Sequence, residues 1–404
     1  VEWSAVVLVI VFLVGALVGH ATAAWRRQSQ SPELPAEQLK HRLQLLFDSY
    51  GNESIDQFIQ NLDVNVHTLP VHIAVGRQFR QQGEVEKAIL VHQNLMAHPE
   101  LSDAAAEPII YELAKDYHKA GLYDRAESLL LELSRSRRFA EKSLQLLLAI
   151  YEQEKDWNKA VATVQRADSR RGDALSLRLA HYHCEQADEA LAQGRRALAL
   201  ELYQKALAAS RSCVRAELSL AAIDLEEGRF KAAFSAARHV ASVSGYLPLV
   251  LPLFESCLGQ DALSAKVLEH LERLYQDTRL PSLLMLIYRH HRGCGAAPDD
   301  QAQLETRLLE GLQIQTGALP LEFMLEQTRL GQGRLTSPLR EAVLGFVHEL
   351  VREQQRFRCQ SCGFAGVQMY WHCPGCHRWQ TVLPPPNLLP DVRAHEPGVD
   401  RCHV

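Results

Sequence analysis

Four cysteines near the end of this 404-residue chain have the types and spacing to do chemistry: Cys359-Gln-Ser-Cys362-Gly363 and Cys373-Pro374-Gly375-Cys376, two CxxC pairs with ten residues between them. A two-residue spacer lets both thiolates of a pair point at one centre, and ten residues suffice for a short hairpin that folds one pair over the other. Gly363 and Pro374-Gly375 permit tight turns whose backbone amides can donate to sulfur. Four sulfurs favour a tetrahedral ion, zinc or alternatively iron. Such a sphere is closed to substrate and water, so the expectation is a structural metal site, with a redox centre or a pair of disulfides as the competing readings. Four thiolates around a divalent ion leave about two negative charges, which Arg356, Arg358 and Arg378 are placed to offset. His372 and His377 read as surface or supporting residues, because the sulfurs already complete the sphere.

No other stretch carries a catalytic pattern. His348-Glu349-Leu350-Val351-Arg352 begins like a zincin helix but has Arg where the second metal-binding His is required. The phosphate-cradling GxxxxGK[ST], GxGxxG and the nucleophile motif GxSxG are absent. His181 and His183 beside Cys184, and the pair His290-His291, read as packing or helix-surface residues. Cys184 as a nucleophile would need a base and an orienting group that no spacing supplies. The chain therefore reads as non-enzymatic, with no catalytic and no organic cofactor site.

Composition narrows the partners. A net charge of -5 provides no global basic field, which argues against nucleic acid and weakens a zinc-ribbon nucleic-acid binder. Nine cysteines are an odd number, and Cys184, Cys213, Cys257, Cys294 and Cys402 are scattered without pairing rhythm, so a reducing compartment is expected.

The elements that must position the knuckle are helical. A module of some two dozen residues has no core of its own, and Phe357, Phe364, Tyr370, Trp371 and Trp379 offer one apolar face, expected to dock on the last helices. Upstream, Gly76-x-x-Phe79 is followed by Ala88, Ala114-x-x-Tyr117 by Ala126, and Leu148-x-x-Tyr151 by Ala160, in one register. Ala199 with Tyr203, and Ala233 with Ala237, repeat the second half of the unit. The alanines recur at intervals of 38, 34, 39 and 34 residues, which bracket the tetratricopeptide period. Gly83, Gly121, Gly194 and Gly228 each stand five residues before the alanine, where a first helix must end in a left-handed conformation; Lys155 holds that position in the third unit. One unit cannot bury its face alone, so the expected fold is all-α: a tetratricopeptide superhelix over residues 38–276, degenerate helical repeats and a final helix over 277–356, and the knuckle over 357–383. Ser54 and Phe58 fit a first repeat, Gly259 with Leu268 a pair over 247–276, and Gly293-Cys294-Gly295 a loop.

Residues 1–27 carry one strongly apolar run, from Trp3 to Trp25, free of Asp, Glu, Lys and Arg. At ~1.5 Å per helical residue it reaches ~34 Å, enough to span a bilayer. Arg26 and Arg27 follow it while only Glu2 precedes, which by the positive-inside rule puts the bulk of the chain in the cytoplasm. A secretory signal ending at Ala21-Thr22-Ala23 is the competing reading, disfavoured because the basic residues follow the apolar segment. Residues 28–37 read as a linker and 384–404 as a proline-rich tail.

Anchor, repeats and terminal knuckle in this order resemble the lipopolysaccharide assembly protein B family of Gram-negative bacteria. The resemblance is carried by GRQFRQQGEVEKAILVHQNLM (76–96), KDYHKAGLYDRAE (115–127), and RFRCQSCGFAG with YWHCPGCHRW (356–379). It implies a rubredoxin-like knuckle lying against the repeats, with Cys359, Cys362, Cys373 and Cys376 as metal ligands. It also implies a single-pass inner-membrane adaptor for the membrane AAA protease FtsH, promoting degradation of the lipid A pathway deacetylase, opposed by an inner-membrane sensor and working among lipopolysaccharide assembly proteins. A generic envelope scaffold without protease delivery, and a membrane-bound electron carrier with iron in the knuckle, are the alternatives.

Overall fold

The computed structural model describes residues 68–98, 103–167, 172–294, 303–304, 306–307 and 357–385. The expected anchor 1–27, the linker, Ser54 and Phe58, the HELVR segment with the final helix over 340–355, and the tail beyond 385 lie outside the described residues. No helix among the described residues is long and apolar enough to cross a membrane. The chain divides into two compact units, Val1–Glu154 and Lys155–Val404.

The first unit contains α1 (Leu69–Gln82), α2 (Val85–Met96), α3 (Asp103–Lys119), α4 (Tyr123–Leu133) and α5 (Ala140–Glu154). The second contains α6 (Trp157–Arg166), α7 (Asp173–Ala192), α8 (Arg196–Ala209), α9 (Val214–Glu226), α10 (Phe230–Ser242), α11 (Leu247–Leu258), α12 (Asp261–Thr278) and α13 (Pro281–Gly293), followed by β1 (Phe357–Cys359), β2 (Ala365–Gly366) and β3 (Val382–Leu383).

The repeat register appears in the backbone. Gly83, Gly121, Gly194 and Gly228 have φ of +88°, +76°, +74° and +72°. In each case the next residue donates its N–H back to a carbonyl five positions earlier, as from Glu84 to Phe79 at 2.9 Å and from Arg229 to Asp224 at 2.7 Å, the bond that closes a helix with a left-handed residue. Lys155 takes the same conformation at φ +57°, at a cost of roughly 1–2 kcal/mol that its Cβ imposes. The register alanines Ala88, Ala126, Ala160, Ala199 and Ala233 are all 0% exposed. A methyl group at these crossings is what lets paired helices approach closely.

Within the first unit, Phe79 packs on Val75 and Ala88, while Leu69 and Ile73 meet Leu95 and Ile109. A buried ionic cluster joins three of its helices. Arg80 of α1 reaches Glu112 and Asp116 of α3, each at 2.5 Å, and His92 Nδ1 of α2 lies 2.5 Å from the other Asp116 oxygen.

Within the second unit, α7 and α8 interleave Ala180, Ala187 and Ala190 with Ala199, Tyr203 and Ala206. Arg215 of α9 ties back to Glu185 at 2.6 Å and Asp188 at 2.5 Å on α7. The pair expected over 247–276 forms as α11 and α12, but Gly259 keeps φ -68°, so this hairpin turns without a left-handed residue. Beyond it the register is lost where the first two turns of α13 are buried on every side: Leu283 through Tyr288 are each at most 6% exposed, while Arg289 to Gly293 are half-buried or exposed. It ends at Gly293 with Cys294 as cap, where the sequence calls for a loop.

Candidate metal centre

The knuckle is a three-stranded antiparallel sheet in the order β2-β1-β3, with Arg358 of β1 opposite both Ala365 and Leu383. β1 delivers Cys359 into a tight turn that brings Cys362 and then Gly363 back toward β2. Gly363 has φ +76° and donates its N–H to the Cys359 carbonyl at 2.9 Å. The second pair repeats this turn. His377, in the position that matches Gly363, has φ +54° and donates to the Cys373 carbonyl at 2.9 Å.

The two turns face each other. Cys359 Sγ lies 3.7 Å from Cys376 Sγ, Cys362 Sγ lies 3.7 Å from Cys373 Sγ, and all four sulfurs fall within 4.8 Å of one another. Metal–sulfur bonds of ~2.3 Å in a tetrahedron require sulfurs about 3.8 Å apart. The donor set therefore fits a four-coordinate thiophilic ion. Cys359 and Cys373 are buried against Phe357 and Val382, while Cys362 is exposed and Cys376 half-buried.

Local donors act on the first of the sulfurs. Burial works to raise the Cys359 thiol, but the Thr381 hydroxyl, with Oγ1 3.3 Å away, and the backbone amides of Cys362 and Ser361 outweigh it and hold the thiol down to about 6. Cys373 is raised by burial against the pull of the Cys376 and Gly375 amides. Arg378 reaches Ser361 Oγ at 3.3 Å, bringing its guanidinium beside the first turn, as the charge argument requires. Arg356 lies outside the described residues.

The knuckle's aromatics do not form one face. Phe364 and Tyr370 pair internally, edge to face at 5.8 Å, whereas Trp371 and Trp379 turn toward the helices. Trp379 is sandwiched between His181 of α7, with ring centroids 4.9 Å apart, and His372, at 4.5 Å, while Tyr182 and Trp157 meet it edge-on. Trp371 stacks on Tyr246 at 6.2 Å. Gln380 completes the seam with paired amide bonds: its Oε1 accepts from Val214 N–H at 3.1 Å and its Nε2 donates to the Ser212 carbonyl at 2.8 Å. Tyr246 donates its hydroxyl to the Gln380 carbonyl at 2.9 Å.

These contacts place the dock on earlier helices than the sequence led one to expect, and the final helix of that expectation lies outside the described residues. The described seam lies on α7, the start of α9 and Tyr246, the residue that caps α11, because the rings that can receive two tryptophans stand there. His181 is a packing residue, as its sequence setting implied. Burial first, and the Arg215 guanidinium next, push it down to about 3, so it stacks as a neutral ring. His183 shares a 3.0 Å contact with Gln186. Cys184 lies 3.8 Å from Cys213 Sγ; that contact and burial raise its thiol well above the ordinary value, which leaves it inert. His290 and His291 adjoin each other near the end of α13. Gln380 and Tyr246 were not among the residues singled out from the sequence, and a lone glutamine after a tryptophan carries no signal that would have found it.

A family model described as a rubredoxin metal binding domain matches residues 357–384. Lipopolysaccharide assembly protein B of Escherichia coli strain K12 is 28% identical over 374 residues, covering 92% of this chain and 94% of that one. The chain is a relative of lipopolysaccharide assembly protein B. The protein of that name from Haemophilus influenzae is 26% identical over 358 residues, covering 85% of this chain and 88% of its own length. Both lipopolysaccharide assembly protein B alignments thus run through most of either chain. Among solved structures, a tetratricopeptide repeat protein from Parabacteroides merdae is 12% identical, covers 70% of this chain and 99% of its own, and superimposes with a TM-score of 0.32, too loosely to carry an argument.

Proposed function

We propose that the protein is a non-enzymatic adaptor of lipopolysaccharide biosynthesis. It is tethered by residues 1–27 in the bacterial inner membrane with its bulk in the cytoplasm, and it promotes FtsH-dependent degradation of the lipid A pathway deacetylase, opposed by an inner-membrane sensor. The observation that carries this reading is the near full-length likeness to proteins named for lipopolysaccharide assembly, 92% of this chain against 94% of the relative. Repeats joined to a closed four-sulfur site supply surfaces and a brace, and neither is a machine for bond chemistry. An adaptor and a protease confined to one membrane meet at a raised effective concentration, so a weak contact suffices.

In this reading the ion is zinc, held by Cys359, Cys362, Cys373 and Cys376, and the chemistry it supplies is structural cross-linking. Elemental analysis of reduced protein should find about one equivalent of zinc per chain. An iron–thiolate absorption spectrum would instead support an electron carrier. The functional test is the half-life of the deacetylase after depletion of this protein. It should lengthen several-fold and return to normal with the intact gene but not with a form lacking residues 1–27. An unchanged half-life would leave only the generic scaffold.

A further inference from the structure

In the first unit a continuous strip of side chains crosses three successive first helices. It begins at Arg77 on α1, exposed and 2.7 Å from Glu112. Glu112 also holds Lys115 of α3 at 3.2 Å, and Lys115 Nζ lies 5.6 Å above the Tyr111 ring. Tyr111 meets Phe139 at 5.4 Å, and Arg138 and Lys142 each lie 5.5 Å over the Phe139 ring. The strip is cationic although the chain is acidic overall.

Arg135, Arg137, Arg138 and Lys142 are exposed and make no ion pair among the described residues. The adjacent Glu141 accepts from the Gln145 amide at 2.9 Å, and the one buried acid of the strip, Glu112, already faces Arg77, Arg80 and Lys115. Four cations held within eight residues on a loop and helix start repel one another and gain most from an anion brought from outside.

We propose that this strip, Arg77–Lys115–Tyr111–Arg138–Lys142, is a docking surface for an extended acidic peptide segment of a partner protein. Three neighbouring helices at ~9 Å spacing give a track of roughly 20 Å, the length of about six extended residues. Cations on both sides of the half-buried Tyr111 ring suit carboxylates on either side of an apolar side chain. A lipid surface fits less well, because Lys115 and Tyr111 are half-buried and a flat bilayer reaches only protruding groups. The proposal deepens the adaptor reading by assigning the chemistry of its client, and it is scored by a binding assay that does not depend on which client the cell supplies.

The test uses the full chain in phosphatidylcholine nanodiscs and a displayed library of random octapeptides. Recovered peptides should be enriched in Asp and Glu, should bind more weakly as salt rises, and should lose roughly tenfold or more in affinity on Arg138→Glu/Lys142→Glu. A charge-matched control in the second unit, Lys231→Glu/Lys266→Glu, should bind as the parent does, and unchanged circular dichroism would show that both variants fold. Recovered peptides without acidic enrichment, or equal binding by the strip variant, would overturn the proposal. So would protection of residues 134–142 from hydrogen exchange on adding phosphatidylglycerol to the discs without any peptide binding, since that is the pattern of a lipid surface. A half-life result that failed the adaptor reading would leave this binding result standing, and the reverse also holds.

Discussion

In Lys155–Val404 the first helices α7 and α11, with the start of α9, are covered by the chain's own knuckle; in Val1–Glu154 the first helices α1, α3 and α5 carry the cationic strip. His181 and Lys142 stand at the same register position, eighteen residues before the buried alanines Ala199 and Ala160. One repeat backbone thus presents the same position twice, once as a neutral ring that receives a tryptophan and once as an exposed charge that lies over Phe139 and makes no ion pair among the described residues. The periodic alanines and turns set the scaffold, and the single residue at the exposed position decides whether the face is filled from inside or offered outward.

Removing the metal should separate the two faces most. A structural ion in a small module contributes ~10–16 kcal/mol to its folding where the ion is zinc, so chelation, or Cys362→Ser, should unfold residues 357–385 and uncover α7 and α11 while most helical content persists. Hydrogen exchange would read it: protection should vanish in the knuckle and drop around His181 and Tyr246, with α1 to α4 unchanged. Equal loss in the first unit would break the comparison. Next in size, Trp379→Ala leaves Trp157, Tyr182 and His181 around an empty volume and should cost about 3–5 kcal/mol in urea unfolding of the second unit, with metal content retained.

The first unit has its own dependence on pH. Burial works to raise the Glu112 carboxyl, but Lys115, Arg77 and Arg80 outweigh it and hold it at about 2, below its ordinary value of 4.5. A depressed carboxylate stabilises fully above its unfolded value and loses that contribution as pH falls through the folded one, so about 3 kcal/mol should disappear between roughly pH 4.5 and 2. Glu112→Gln should flatten that slope in the exchange rates of α1 and α3 and leave α7 to α10 alone. The smallest effect is a gain: Lys155→Gly removes a left-handed Cβ and should raise stability by about 1 kcal/mol, measured as a higher urea midpoint.

Much of this was legible because it is written locally. The interval between alanines, the glycine five residues before each, and the doubled CxxC are short-range patterns with one physical cause apiece. What the sequence hid is the seam. Gln380 bonds across 166 residues to Val214 and across 168 to Ser212, and no periodicity links positions that far apart. The five knuckle aromatics looked alike in sequence, yet Phe364 and Tyr370 turned inward and Trp371 and Trp379 outward, a division set by which neighbours the folded helices supply. The lost register after residue 277 was visible as an absence of pattern, and the burial of Leu283 to Tyr288 on every side of α13 was not.

The separation of 166 residues between Val214 and Gln380 also sets a clock. A ribosome adding ~5–20 residues per second needs roughly ten to thirty seconds to travel from one to the other. Throughout that interval His181, Tyr246 and the amides around Val214 have been made and the tryptophans that cover them have not. Newborn chains therefore display an apolar, hydrogen-bond-hungry surface until residues 357–385 emerge and cover it. A copy in which residues 357–385 fail to fold should keep that surface on view, as surface-sensitive labelling of Tyr246 and the His181 helix would read.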